Sequence, residues 1–160
     1  MEKSDLDLLE ELCKIPACSG DERTVRDYLI DYVESNSSHW STQPKLIYGE
    51  DFQDCLILIF GEPRTAIYAH MDSVGYTVGY GNNLIKIGGP KAKEGSILVG
   101  KDSKGEIEGK LNYSIEDEEE DNKVVTTSII FDREIDRGTN LSYKANFKIE
   151  DDFLISPYLD

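Results

Sequence analysis

No convincing helical period interrupts residues 74–155, and this most constrains what the chain can fold into. The stretch is built instead from short β-prone runs separated by glycine-bearing turns. "VGYTVGY" and "LIKI" flank Gly81-Asn82-Asn83, which reads as a hairpin. "SILVGKDSKGEIEGKL" reads as a second hairpin with Lys104-Gly105 near its turn. "KVVTTSIIF" and "LSYKANF" supply further short strands. Many short strands with glycine turns predict a small barrel or sandwich.

The first 73 residues have a different texture. Leu6, Leu8, Leu9, Leu12 and Ile15 follow an approximate helical period after Ser4, a candidate cap, and Pro16 ends the run. "ACSGDE" is a turn in which Ser19 or Asp21 can cap a second helix reaching about Glu34. Val25, Leu29 and Val33 form its apolar stripe, with Tyr28 and Tyr32 beside it as packing residues. "KLIY" then predicts a strand. "DCLILIF" and "TAIYA" are continuous apolar runs joined by "GEPR", and such runs suit strands buried on both faces. The fold class expected is therefore α/β over 1–73, followed by an all-β unit over 74–155, with 156–160 starting a return to the first unit.

Charge narrows the partners. The 160 residues carry 32 acidic and 17 basic side chains, a formal net charge of −15. That argues against the phosphate backbone of nucleic acid, which is held by clustered lysine and arginine, and equally against an anionic membrane surface. No run approaches the ~20 apolar residues of a membrane span. "MEKSDLDLLEEL" is acidic and amphipathic, unlike a secretory leader, so a cytoplasmic protein is expected. Cys13, Cys18 and Cys55 form no zinc or redox pattern and are read as reduced thiols. "EDEEED", 116–121, is read as a solvated loop, since it lacks the spaced acids and glycine of a calcium loop. His39 sits beside Trp40 in a polar loop and is read as a surface residue.

The other histidine ends the run "AIYA" in "HMDSVGY". On a strand, His70 and Asp72 would share a face at the carboxyl end, where α/β sheets bind ligands. His70 could ligate a metal while Asp72 holds the other ring nitrogen. The pair could instead be the base half of a nucleophile triad, with Ser19, Cys18 or Ser73 as nucleophile, although no G-x-S-x-G elbow is present. An inert histidine hydrogen-bonded at a strand end is the third possibility.

Taken together, the motifs resemble a known family. "LLEELCKIPACSGDERTVRDYL" resembles the opening of the cocatalytic metallo-aminopeptidases of the glutamyl/deblocking, tetrahedral-particle type: a leucine-rich helix, a P-x-x-S-G-x-E turn and a V-R helix. "IYAHMDSVGYTV" resembles their A-H-M-D-E-V-G-F segment, with Ser73 in place of the usual acid. "IKIGGP", "GSILVGKDSKGEIEGKL" and "DRGTNLSYKANF" resemble their inserted β domain, and "ISPYLD" resembles the stretch closing on a metal-bridging aspartate. The resemblance implies the N-terminal part of a zinc-exopeptidase-like mixed-sheet catalytic domain, then an inserted small β domain. It implies His70 as a metal ligand, Asp72 as the catalytic-site carboxylate behind it, and Asp160 as the carboxylate bridging two divalent ions, zinc or cobalt. In the complete enzyme it implies peptide substrates cleaved at free N-termini and a homo-oligomer. The family's general-base glutamate pair and remaining ligands follow the bridging aspartate. The expectation is thus an N-terminal portion that hydrolyses nothing by itself, the alternative being a non-catalytic interaction protein built from the same modules.

Overall fold

The computed structural model describes all residues except 1–2, 92, 119–121, 151–152 and 156–160. Two helices come first, α1 (Lys3–Lys14) and α2 (Arg23–Asn36). A two-stranded antiparallel sheet follows, β1 (Lys45–Ile47) on β2 (Ile57–Ile59). The remaining strands are β3 (Gly75–Val78), β4 (Leu84–Ile87), β5 (Ile97–Asp102), β6 (Gly105–Glu118), β7 (Asn122–Ile130), β8 (Asn140–Tyr143), β9 (Lys148–Glu150) and β10 (Phe153–Ile155).

Six of these strands make one antiparallel sheet in the order β4-β3-β8-β5-β6-β7. A bridge between Asn83 and Ser128 brings its two outer strands together, so the sheet nearly closes on itself. The reason is the alternation along each strand. Tyr76 and Val78, and Leu141 and Tyr143, stand two residues apart, Ile107 and Leu111 four, and each pair turns to one side. With Leu98, Ile129 and Ile135 they form a single buried core. At about 1.5–3 kcal/mol for each large apolar side chain removed from water, this interior dominates the stability of the sheet. The Tyr76 and Tyr143 hydroxyls satisfy each other inside it at 2.9 Å, and Tyr143 also donates to the Lys91 carbonyl at 3.1 Å. Gly109 leaves room for Ile129, whose Cδ1 would lie 2.6 Å from a Cβ placed there.

One polar cluster locks the rim of this sheet. The Asp102 carboxylate, inaccessible to solvent, accepts both Arg133 guanidinium nitrogens at 2.6 and 2.8 Å. It also accepts the backbone N–H groups of Lys104 at 2.9 Å and Asp136 at 3.2 Å. Hydrogen bonding from Arg133, joined by those amides, holds the Asp102 carboxyl well below the usual carboxylate range. A depressed folded-state pKa stabilises the protein above the unfolded value, near 3.9, and that contribution is lost as pH falls toward the folded one. Asp102→Asn is therefore expected to lower the melting temperature at pH 7 and to flatten its decline between about pH 5 and pH 2. Parallel melting curves for the two proteins across that range would contradict this role.

The all-β expectation for the second half is met among the described residues: they form strands and turns with no α-helix, and both predicted hairpins, β3–β4 and β5–β6, are present. The charge run differs. Glu116, Asp117 and Glu118 continue β6 and pair with β7 instead of looping, because the long hairpin carries the acids along its end; 119–121 lie outside the described residues.

The first half departs further. Neither Ser19 nor Asp21 caps α2. Glu22 occupies that position with no side-chain cap bond, because its carboxylate accepts the Gly20 N–H and Ser19 is engaged elsewhere. The buried stripe of α2 is Val25, Ile30 and Val33, with Leu29 half-buried. Helix α1 has no fully buried residue from Asp5 onward and is tied to α2 by the Tyr28 hydroxyl, which donates to Glu11 at 2.6 Å. That bond, with some burial, pushes the Tyr28 pKa up to about 12. Most tellingly, "TAIYA" is not a strand here, and Ile57 and Leu58 of β2 are exposed. A double-sided apolar run is buried only where layers cover both faces, and the described residues place no such layers on it.

Candidate functional site

The turn after α1 and the segment after "AIYA" are brought together by backbone bonding. Ser73 N–H donates to the Ala17 carbonyl at 2.6 Å, its hydroxyl donates to the same oxygen at 3.0 Å, and Cys18 and Ser73 form a parallel bridge. The turn is held from its other side by β8. The Cys18 thiol reaches the Leu141 carbonyl and the Ser142 hydroxyl, each at 3.3 Å. Gly75 is what permits this approach: a Cβ there would collide with the Cys18 sulfur and the Leu141 carbonyl. Close backbone approach, not a bulge, is thus the use of this glycine.

On this platform Ser19, Asp72 and His70 form a short chain of contacts. The Ser19 hydroxyl donates to Asp72 Oδ2 at 2.5 Å. The His70 Nδ1 lies 2.9 Å from the Asp72 carbonyl and 3.3 Å from its Oδ1. Foremost the Ser19 bond, then the local backbone and His70, lower the Asp72 pKa against the opposing effect of burial. The side chains are partly open to solvent, 57% for His70 and 35% for Asp72.

The order of contacts is chemically informative. In a nucleophile triad the imidazole stands between hydroxyl and carboxylate. Here the carboxylate stands between hydroxyl and imidazole. Each weighed nucleophile is committed elsewhere: Ser19 to Asp72, Cys18 to β8, and Ser73 to Ala17. Burial, the largest influence, raises the Cys18 pKa, which disfavours the reactive thiolate. Carbonyl and carboxylate oxygens at Nδ1, by contrast, fix the tautomer that presents Nε2 as a ligand. The donor set fits one metal-ligand position with its orienting group. Among the described residues no group of three or more His, Cys, Asp and Glu side chains comes together. Asp160, the expected bridging carboxylate, lies outside the described residues.

The i, i+2 proximity of His70 and Asp72 was legible in the sequence, but its geometry was not. The pair meets at the end of an exposed segment that belongs to no strand, through the Asp72 carbonyl and carboxylate, not on the face of a buried strand. Ser19 was visible only as a possible cap or nucleophile; no local pattern signals a bond to a residue 53 positions away. The three cysteines are free thiols, and His39 is exposed, both as expected. No helix among the described residues is long and apolar enough to cross a membrane. No protein-family model matches this sequence, and no curated protein is significantly similar to it.

Proposed function

We propose that this chain carries the first metal-ligand segment of a metal-dependent aminopeptidase, with a zinc-exopeptidase-like catalytic layer over 1–73 and an inserted β unit over 74–155. The observation that carries the reading is the Asp72 carboxylate, anchored by Ser19 and set with its own carbonyl against the His70 Nδ1. His70 would hold a divalent ion through Nε2, and Asp72 would keep the ring in the ligating tautomer. Asp160 would bridge to a second ion. Two divalent ions, zinc or cobalt, would supply Lewis acidity and an activated water for attack on the first peptide bond.

Two matched ligands are fewer than the three or more protein ligands of ordinary zinc sites. The 160-residue chain is therefore expected to leave aminoacyl anilides intact with zinc or cobalt added. Turnover lost on His70→Ala would sink that expectation. Metal binding itself is tested by a zinc titration followed through the imidazole NMR signals. The only other histidine, His39, is exposed and serves as an internal control. His70 is expected to respond at lower zinc than His39, and equal response of the two would remove the basis of the reading.

A second reading, a non-catalytic interaction protein built from the same modules, is favoured by one observation. Tyr48, Phe52, Ile57, Leu58, Phe60, Ile67 and Tyr68 are all exposed within 21 residues of sequence. The peptidase reading places this protein in the cytoplasm, with peptides as substrates and self-association in the complete enzyme.

A further inference from the structure

Leu141 and Tyr143 turn into the core of the six-stranded sheet, so Ser142 between them turns to its outer face. The outer face of an antiparallel sheet is ordinarily wet. Ser142 is nevertheless only 5% exposed, because the turn before α2 covers it, with Ala17 and Cys18 each at 2%. Its cross-strand partner on β3 is Gly75. A small hydroxymethyl group beside a residue with no side chain leaves a socket in that face, and the Cys18 thiol fills it. The sulfur lies 3.3 Å from the Ser142 hydroxyl, and a Cβ on Gly75 would stand 2.3 Å from it.

We propose that Ser142 is a positioning residue for the His70 site: with Gly75 it forms a socket that seats Cys18, and Cys18 seats the turn that holds Asp72 against the His70 Nδ1. The turn grips Asp72 from two sides. Ser19, next to Cys18, donates to the Asp72 carboxylate at 2.5 Å. Ala17, on the other side of Cys18, accepts both the N–H and the hydroxyl of Ser73, the residue after Asp72. Displacing Cys18 therefore moves both oxygens that face the ring, the carbonyl at 2.9 Å and Oδ1 at 3.3 Å. Neither a carbonyl nor an ionised carboxylate can donate, so the ring nitrogen facing them carries the proton and Nε2 keeps its lone pair. A strand of the β unit thus selects which nitrogen is offered to a metal. That use of the tautomer rests on the metal-ligand reading; the tautomer itself does not.

The metal-free chain at about pH 8, where an ordinary imidazole is neutral, is read by long-range 1H–15N correlation, which distinguishes the two tautomers. His70 is expected mainly as Nδ1–H, against the Nε2–H preference of a free imidazole, which the exposed His39 should show. Ser142→Val fills the socket and should shift His70 to the His39 pattern, while the signals of Tyr76 and Tyr143 show that the core is intact. Cys18→Ala empties the socket without adding bulk, and reads the same loss even where valine at 142 prevents folding. Combining the two changes returns volume to the socket and should bring His70 back toward Nδ1–H. Nε2–H at His70 in the unaltered chain, an unchanged tautomer in either folded single variant, or a double variant no closer to the unaltered chain than the singles would overturn the proposal. Zinc added to the unaltered chain separates the two claims: an Nδ1–H ring that binds zinc no better than His39 upholds the socket and removes the metal reading.

Discussion

Replacing Leu141 with alanine is expected to cost about 3–5 kcal/mol of folding stability, the largest effect predicted for any single change here. Leu141 has no exposed surface. It sits on β8, in the middle of the sheet, paired with Tyr76 on one side and Gly100 on the other. Its side chain would leave a cavity among strands fixed by hydrogen bonds on both edges, so the surroundings can collapse only partly. The melting temperature should fall by roughly 10 °C for a chain of this size. A loss below about 1 kcal/mol in denaturant unfolding would mean that this interior is loosely packed. The Leu141 carbonyl also accepts the Cys18 thiol. Loosening β8 is therefore expected to loosen the turn that carries Ser19 as well.

The second large effect is on metal affinity. Asp72→Asn keeps the shape of the side chain and removes its charge. Groups behind a metal-bound imidazole typically contribute ten- to a hundredfold in affinity, and the zinc midpoint at His70 should rise by about that factor. The His39 response should stay where it is. Asp72→Asn also shows whether the carboxylate or the Asp72 backbone carbonyl orients the ring, since the carbonyl at 2.9 Å survives the change. An unchanged midpoint would assign the orienting role to the carbonyl and take Asp72's side chain out of the site.

The β half was largely legible because its signals are local. Alternation fixes which face of a strand is apolar, and glycine-bearing turns fix where strands reverse. Thus "VGYTVGY…LIKI" and "SILVGKDSKGEIEGKL" became the hairpins they predicted. The α/β half was less legible, because a continuous apolar run says only that burial is favourable. It does not say what performs the burial. "TAIYA" carries the composition of a buried strand and lies exposed among the described residues.

The sequence by itself determined the two helices, the hairpins, the free thiols, and the presence of an imidazole two residues from a carboxylate. Each follows from period, turn chemistry or composition within a short window. Only the tertiary structure decided that Ser19 serves Asp72, that Cys18 fastens the site to β8, and that Gly75 is there to let them approach. Asp102 belongs with these, buried under an arginine 31 residues away. The physical reason is the same in each case. Hydrogen bonds and close contacts between distant segments depend on where the chain returns to itself, and no local pattern encodes that return.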